Sequence, residues 1–204
     1  MKNDREYRAF SIKADGEEKR VQGYATTFDQ AYTLYEDEEY IIREVMSADA
    51  FDETDMEDVI LQYNHEGHVY ARRKNGTLEV TVDKPNGLYI NADLGGTEIG
   101  SQLYEEIKGG YTDKMSIGFT VDRSADVWTR EVLEGRTIET RYINKVTKLY
   151  DVSAVSIPAN GNTSIEAVSV RALVDGVIDE IKAERLEAEK LEAERLKTEI
   201  RARL

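Results

Sequence analysis

Up to about residue 170 the chain is a series of short runs rich in aromatic and β-branched residues, broken by turn signals. Runs of this kind over Arg5–Lys13, Arg20–Phe28, Tyr40–Val45 and Asp58–Tyr63 predict strands. Asn75-Gly76 and Asn86-Gly87 are turn dipeptides, because both residue types tolerate positive φ. They bracket Thr77–Val82 and lead into Leu88–Ala92, which predicts a meander. Alternation is clearest in Lys114–Asp122: Met115, Ile117, Phe119 and Val121 share one face, while Ser116, Gly118 and Thr120 share the other. Val127–Leu133 and Arg136–Val146 flank Glu134-Gly135 and predict a hairpin. Leu149–Ile157 is apolar on both faces and predicts a central strand.

Helical periodicity occurs twice. In Thr97–Lys108, Ile99, Leu103 and Ile107 recur every four residues, with Thr97 placed as N-cap and Gly109-Gly110 as the stop. The second stretch, Arg171–Leu204, is rich in Ala, Glu, Lys, Arg and Leu and contains a five-residue near-repeat starting at Glu184, Glu189 and Glu194. Leu186, Leu191 and Leu196 advance about 500° per step at about 100° per residue, so they spiral around the helix and make no clean heptad seam. The pattern predicts an α+β chain, mainly β, with a body over residues 1–170 and a helical tail over 171–204.

Charge narrows the classes of partner. The chain of 204 residues has a formal charge of −14; the tail carries 8 basic and 9 acidic residues, so the body holds −13. Phosphate-tracking nucleic-acid binding rests on Lys and Arg, so no nucleic-acid partner is expected, and an acidic membrane surface is disfavoured for the same reason. The absence of Cys excludes disulfides, thiolate zinc sites and a Cys nucleophile, and fits a reducing cytoplasm. No apolar run approaches the roughly 18 residues of a membrane span, and the N-terminus has no apolar signal core, so neither a membrane partner nor secretion is expected.

Three positions carry candidate chemistry. His65 and His68 are the only histidines and follow directly on an apolar run, where a side chain reaches a cleft as readily as a surface loop. Their spacing is i, i+3, whereas the zinc helix motif needs i, i+4, and Gly67 opposes a helix; a metal would need a carboxylate from elsewhere. Ser116 faces away from the apolar set beside Gly118, which leaves room for a substrate backbone; alternation by itself favours an ordinary polar residue on an outer strand face. Asp151 opens a strongly apolar strand and needs a partner, which a histidine, an Arg or a backbone N–H can supply. Gly95-Gly96-Thr97 lacks the Lys of a phosphate loop and reads as a helix cap.

In series, these segments resemble the prohead maturation proteases of tailed bacteriophages. The resemblance rests on Gly23–Phe28, Asn64-His65-Glu66, Arg72, Thr97-x-x-Gly100, Gly110, Met115-Ser116-Ile117-Gly118-Phe119 and Asp151-Val152-Ser153-Ala154-Val155-Ser156-Ile157-Pro158-Ala159-Asn160, over roughly residues 5–170. It implies a herpesvirus-protease-like β-barrel with helices around it. It further implies a serine endopeptidase with Ser116 as nucleophile, His65 as general base and Asp151 as third member, needing no cofactor or metal. The implied partners are the major capsid protein precursor with its scaffolding segment, and the chain itself through oligomer formation and autocleavage. The implied place is the bacterial host cytoplasm, inside the assembling procapsid. Backbone N–H groups around Ile117 or near Arg72-Arg73 are candidate oxyanion donors. Two other readings stay open: a non-catalytic scaffold or assembly protein, and a metal hydrolase built on His65 and His68.

Overall fold

The computed structural model describes residues 6–15, 18–156 and 165–202. Along the chain lie β1 (Glu6–Asp15), β2 (Arg20–Thr27), β3 (Ala31–Glu36), β4 (Tyr40–Met46), β5 (Ile60–Tyr63), β6 (Glu66–Arg72), β7 (Leu78–Asp83) and β8 (Gly87–Asp93). There follow α1 (Glu98–Lys108), β9 (Lys114–Val121), β10 (Val127–Leu133), β11 (Arg136–Ile143), β12 (Val146–Val155) and α2 (Ile165–Ala202). Eight strands form one sheet in the order β6-β5-β12-β9-β1-β2-β8-β7, and four form another in the order β10-β11-β4-β3.

The larger sheet turns a corner at β1. Residues Glu6–Ser11 pair with β9, whereas Ile12–Asp15 pair with β2, so one strand serves both halves. Between the halves lies one continuous core, with Met115, Ile117, Phe119, Val152 and Leu61 from one side and Val21, Leu88, Ile90 and Leu78 from the other. The edge strands β6 and β7 are joined in sequence by a 3-10 turn at Arg73–Asn75, yet no strand pairing closes them on each other. The expectation of a barrel is therefore met only in its β content: among the described residues the sheet is curled and open.

Helix α1 closes part of this core with Leu103, Tyr104 and Ile107. Thr97 caps it, its Oγ1 accepting from the Gly100 N–H at 3.0 Å. A Cβ at Gly100 would lie 2.4 Å from the Leu94 carbonyl oxygen, so the Thr-x-x-Gly motif is a packing requirement where the helix starts.

The predicted single strand over Arg136–Val146 is two strands. The break falls at Asn144-Lys145, where the chain passes from the smaller sheet to the larger. Asn144 accepts from Ser47 Oγ at 2.5 Å and donates to the Ala125 carbonyl at 2.9 Å, holding the crossing. The final helix starts at Ile165, earlier than composition predicts. Its first half docks on the smaller sheet, where Val174, Val177 and Ile178 pack with Ile42, Leu34 and Tyr35. Arg185 donates to Thr137 Oγ1 at 2.7 Å and lies over the Tyr40 ring at 5.6 Å. Beyond Ile181 every described side chain is exposed, Leu186, Leu191 and Leu196 among them.

Candidate active site

His65 sits at a hairpin tip. Tyr63 pairs with Glu66 across the β5–β6 hairpin, so Asn64-His65 is a two-residue turn, and both residues have positive φ, 50° and 60°. That is the turn whose twist suits a hairpin, and Asn and His tolerate the left-handed region better than most side chains. The turn is fastened to the end of β12. The Asn64 N–H donates to the Ala154 carbonyl at 2.9 Å, and the Ser156 N–H donates to Asn64 Oδ1 at 3.3 Å. Tyr63 also donates its hydroxyl to Ser156 Oγ at 3.2 Å.

This anchoring delivers the imidazole to Asp151. His65 Nδ1 lies 2.5 Å from Asp151 Oδ1, with the histidine side chain 10% and the aspartate 2% exposed. A carboxylate oxygen only accepts, so Nδ1 carries the proton and Nε2 is left as the acceptor. β12 starts at Val146, so Asp151 lies within the strand rather than opening it, and the partner its buried carboxylate needed is histidine. Its Oδ1 also accepts from Ser153 Oγ at 2.8 Å, and Ser153 is fully buried. Sequence reading missed Ser153 as a site residue; the signal was its i, i+2 spacing from Asp151, which puts both on one face of a strand.

Ser116 belongs to the same face. It pairs directly with Ser153 across the β9–β12 ladder, while Asp151 pairs with Gly118. Ser116 and Asp151 are thus diagonal neighbours, about 7–8 Å apart in such a ladder. The face is not open, however. Met115 through Phe119 are all buried, and Ser116 has no exposed surface, although alternation placed it on an outer face. Alternation reports which face a side chain takes, not what lies over that face.

Two sequence expectations fail here. The Arg72 N–H donates to Thr77 Oγ1 at 2.8 Å and the Arg73 N–H to the Val59 carbonyl at 2.9 Å, so both are committed within the fold rather than offered to an oxyanion. The Arg72 guanidinium is likewise engaged, its Nε donating to Asp58 Oδ1 at 2.7 Å. Ile117 lies in a strand flanked by β1 and β12, whose ladders take up its backbone. His68, the other half of the metal reading, is exposed on β6. Among the described residues, no group of three or more His, Asp or Glu gathers that could hold a metal ion.

A buried carboxylate holds an imidazole on a sheet face that also bears a serine, the three residue types from which serine hydrolases build their acid–base apparatus. The chain belongs to the caudovirus prohead serine protease family, whose model matches residues 6–175. No curated protein matches the chain, and no solved structure does. Membership supports a capsid-maturation protease role, with a capsid-protein substrate inside the procapsid. No helix among the described residues is long and apolar enough to cross a membrane.

Proposed function

We propose that the chain is a serine endopeptidase that cuts the scaffolding segment from the major capsid protein precursor, and cuts itself, during procapsid maturation. The observation that carries this reading is the 2.5 Å contact of His65 with buried Asp151 on the strand face that bears Ser116. His65 Nε2 takes the Ser116 proton as Oγ attacks the scissile carbonyl. The imidazolium then protonates the leaving amine, and the acyl-enzyme is hydrolysed by water through the same base. Asp151 fixes the tautomer and stabilises the imidazolium. With Ser116 buried, the outer face of β9 must open to admit a substrate.

The division into a protease body over residues 1–170 and a tail over 171–204 fits the same role. Exposed Leu186, Leu191 and Leu196 on the projecting part of α2 suit contact with scaffold helices or with other copies of the chain. Autocleavage near residue 170 would release the tail, and a herpesvirus-protease-like arrangement would relate the curled sheet to a barrel.

The test is co-expression with a major capsid protein precursor, comparing wild type with Ser116→Ala. Wild type should shorten the precursor, and a folded Ser116→Ala chain should leave it at full length. Processing by Ser116→Ala would overturn the reading.

A further inference from the structure

We propose that Ser153 is a positioning residue that holds the Asp151 carboxylate against His65. The role at the reacting serine rests on the proposed function; the role at the His65–Asp151 pair does not.

The geometry is specific. Asp151 Oδ1 receives two donors, His65 Nδ1 at 2.5 Å and Ser153 Oγ at 2.8 Å. They come from different elements, the β5–β6 turn and β12 itself. A carboxylate held by the imidazole alone keeps rotational freedom about its side-chain bonds. A second donor on the same oxygen, mounted on the same strand two residues away, removes that freedom and ties the oxygen to the sheet. Hydrogen bonds to a charged acceptor are the strong ones, and this pair is shut off from water, with Ser153 at 0% and Asp151 at 2% exposure.

The placement also ties this network to Ser116. Ser153 is the direct cross-strand partner of Ser116, so the residue that fixes the carboxylate shares a rung with the serine that the imidazole has to reach. A displacement of Asp151 would be passed through the imidazole to the Nε2–Oγ distance, to which proton transfer is sensitive.

The experiment compares wild type, Ser153→Ala and Ser153→Thr as full chains, using diisopropyl fluorophosphate as the probe of Ser116. Two readouts are taken: the rate of Ser116 acylation, and the NMR signal of the His65 Nδ1 proton. Ser153→Ala should acylate roughly tenfold more slowly, the scale of a lost hydrogen bond to a charged group, and its Nδ1 proton signal should broaden by exchange. Ser153→Thr keeps the hydroxyl and should restore both. Should the Ala variant fail to fold, near-isosteric Ser153→Cys, a weaker donor, replaces it with the same expected direction. Unchanged acylation with an unchanged Nδ1 signal in the folded variant overturns the proposal. If no chain acylates at Ser116 while the Nδ1 signal still depends on residue 153, the positioning of the pair stands and the protease reading fails.

Discussion

Replacing Asp151 by Asn changes one oxygen to an amide at almost constant volume, in a side chain that is 2% exposed. Two outcomes are open to the new side chain. If its oxygen stays with Ser153 and its NH2 group turns toward the imidazole, two donors face each other. Nδ1 must then become an acceptor, and the proton moves to Nε2, the nitrogen that has to accept from serine. In serine proteases that depend on a His–Asp pair, this loss of the working tautomer costs about 10⁴ in rate, or roughly 5.5 kcal/mol. If instead the oxygen keeps both donors, the tautomer survives and only the charge is lost. That costs roughly 1.5–3 kcal/mol, a factor of about 10–100. The two outcomes together bound the fall between about 10 and 10⁴, and the short 2.5 Å contact, which leaves the pair little room to rearrange, favours the lower part of that range. The assay is the rate of capsid-precursor processing by Asp151→Asn, with thermal melting to show that the variant is folded. A folded Asp151→Asn chain that processes within threefold of wild type would refute the role assigned to this carboxylate.

Further predictions concern the scaffold that holds the site. Arg141 is 1% exposed and donates to Glu44 Oε2 at 3.0 Å and to Asp126 Oδ2 at 2.8 and 2.7 Å. Arg141→Leu should cost about 3–5 kcal/mol in urea unfolding, because two buried carboxylates lose their counter-charge; a loss below about 1 kcal/mol would contradict this. Gly176 lies inside α2, and a Cβ placed there would have nothing within 4 Å, so Gly176→Ala should stabilise by about 0.5–1 kcal/mol, and a lower melting temperature would count against the docked helix. Hydrogen bonds from Arg72, Lys148 and Tyr24 hold Asp58, Asp55 and Asp83 below the ordinary carboxylate range. Their contribution is complete above about pH 4 and is lost as the pH falls through their lower folded values. Melting temperatures should therefore drop from pH 5 to pH 2; a flat profile would show that these pairs contribute nothing.

Much of the site could be read in the sequence, because strand alternation is a strong signal. The core face Met115, Ile117, Phe119 and the opposite placement of Ser116 both follow from it. What alternation leaves out is the covering of a face, which is why the burial of Ser116 was not foreseen. β6 was missed because Glu66-Gly67-His68-Val69 is exposed and has no apolar rhythm; pairing with β5 makes it a strand. The early start of α2 was hidden for a related reason. The Ala-Glu-Lys-Arg composition marks the solvated half of the helix, whereas the docked half carries Val174, Val177, Ile178 and Ile181. The expected final strand reached Ile157, which lies outside the described residues. His65 meeting Asp151 across 86 residues is a tertiary contact, and no local pattern chooses it over the Arg or backbone partners that the sequence left open.

The identity of the nucleophile is the point on which everything else turns, and acylation tests it most directly. Chains that are processing capsid precursor would be treated with diisopropyl fluorophosphate, digested and mapped by mass. The adduct should sit on the peptide containing Ser116, disappear in Ser116→Ala and fall steeply in His65→Ala. An adduct on any other serine, with processing lost as it forms, would contradict the assignment of Ser116.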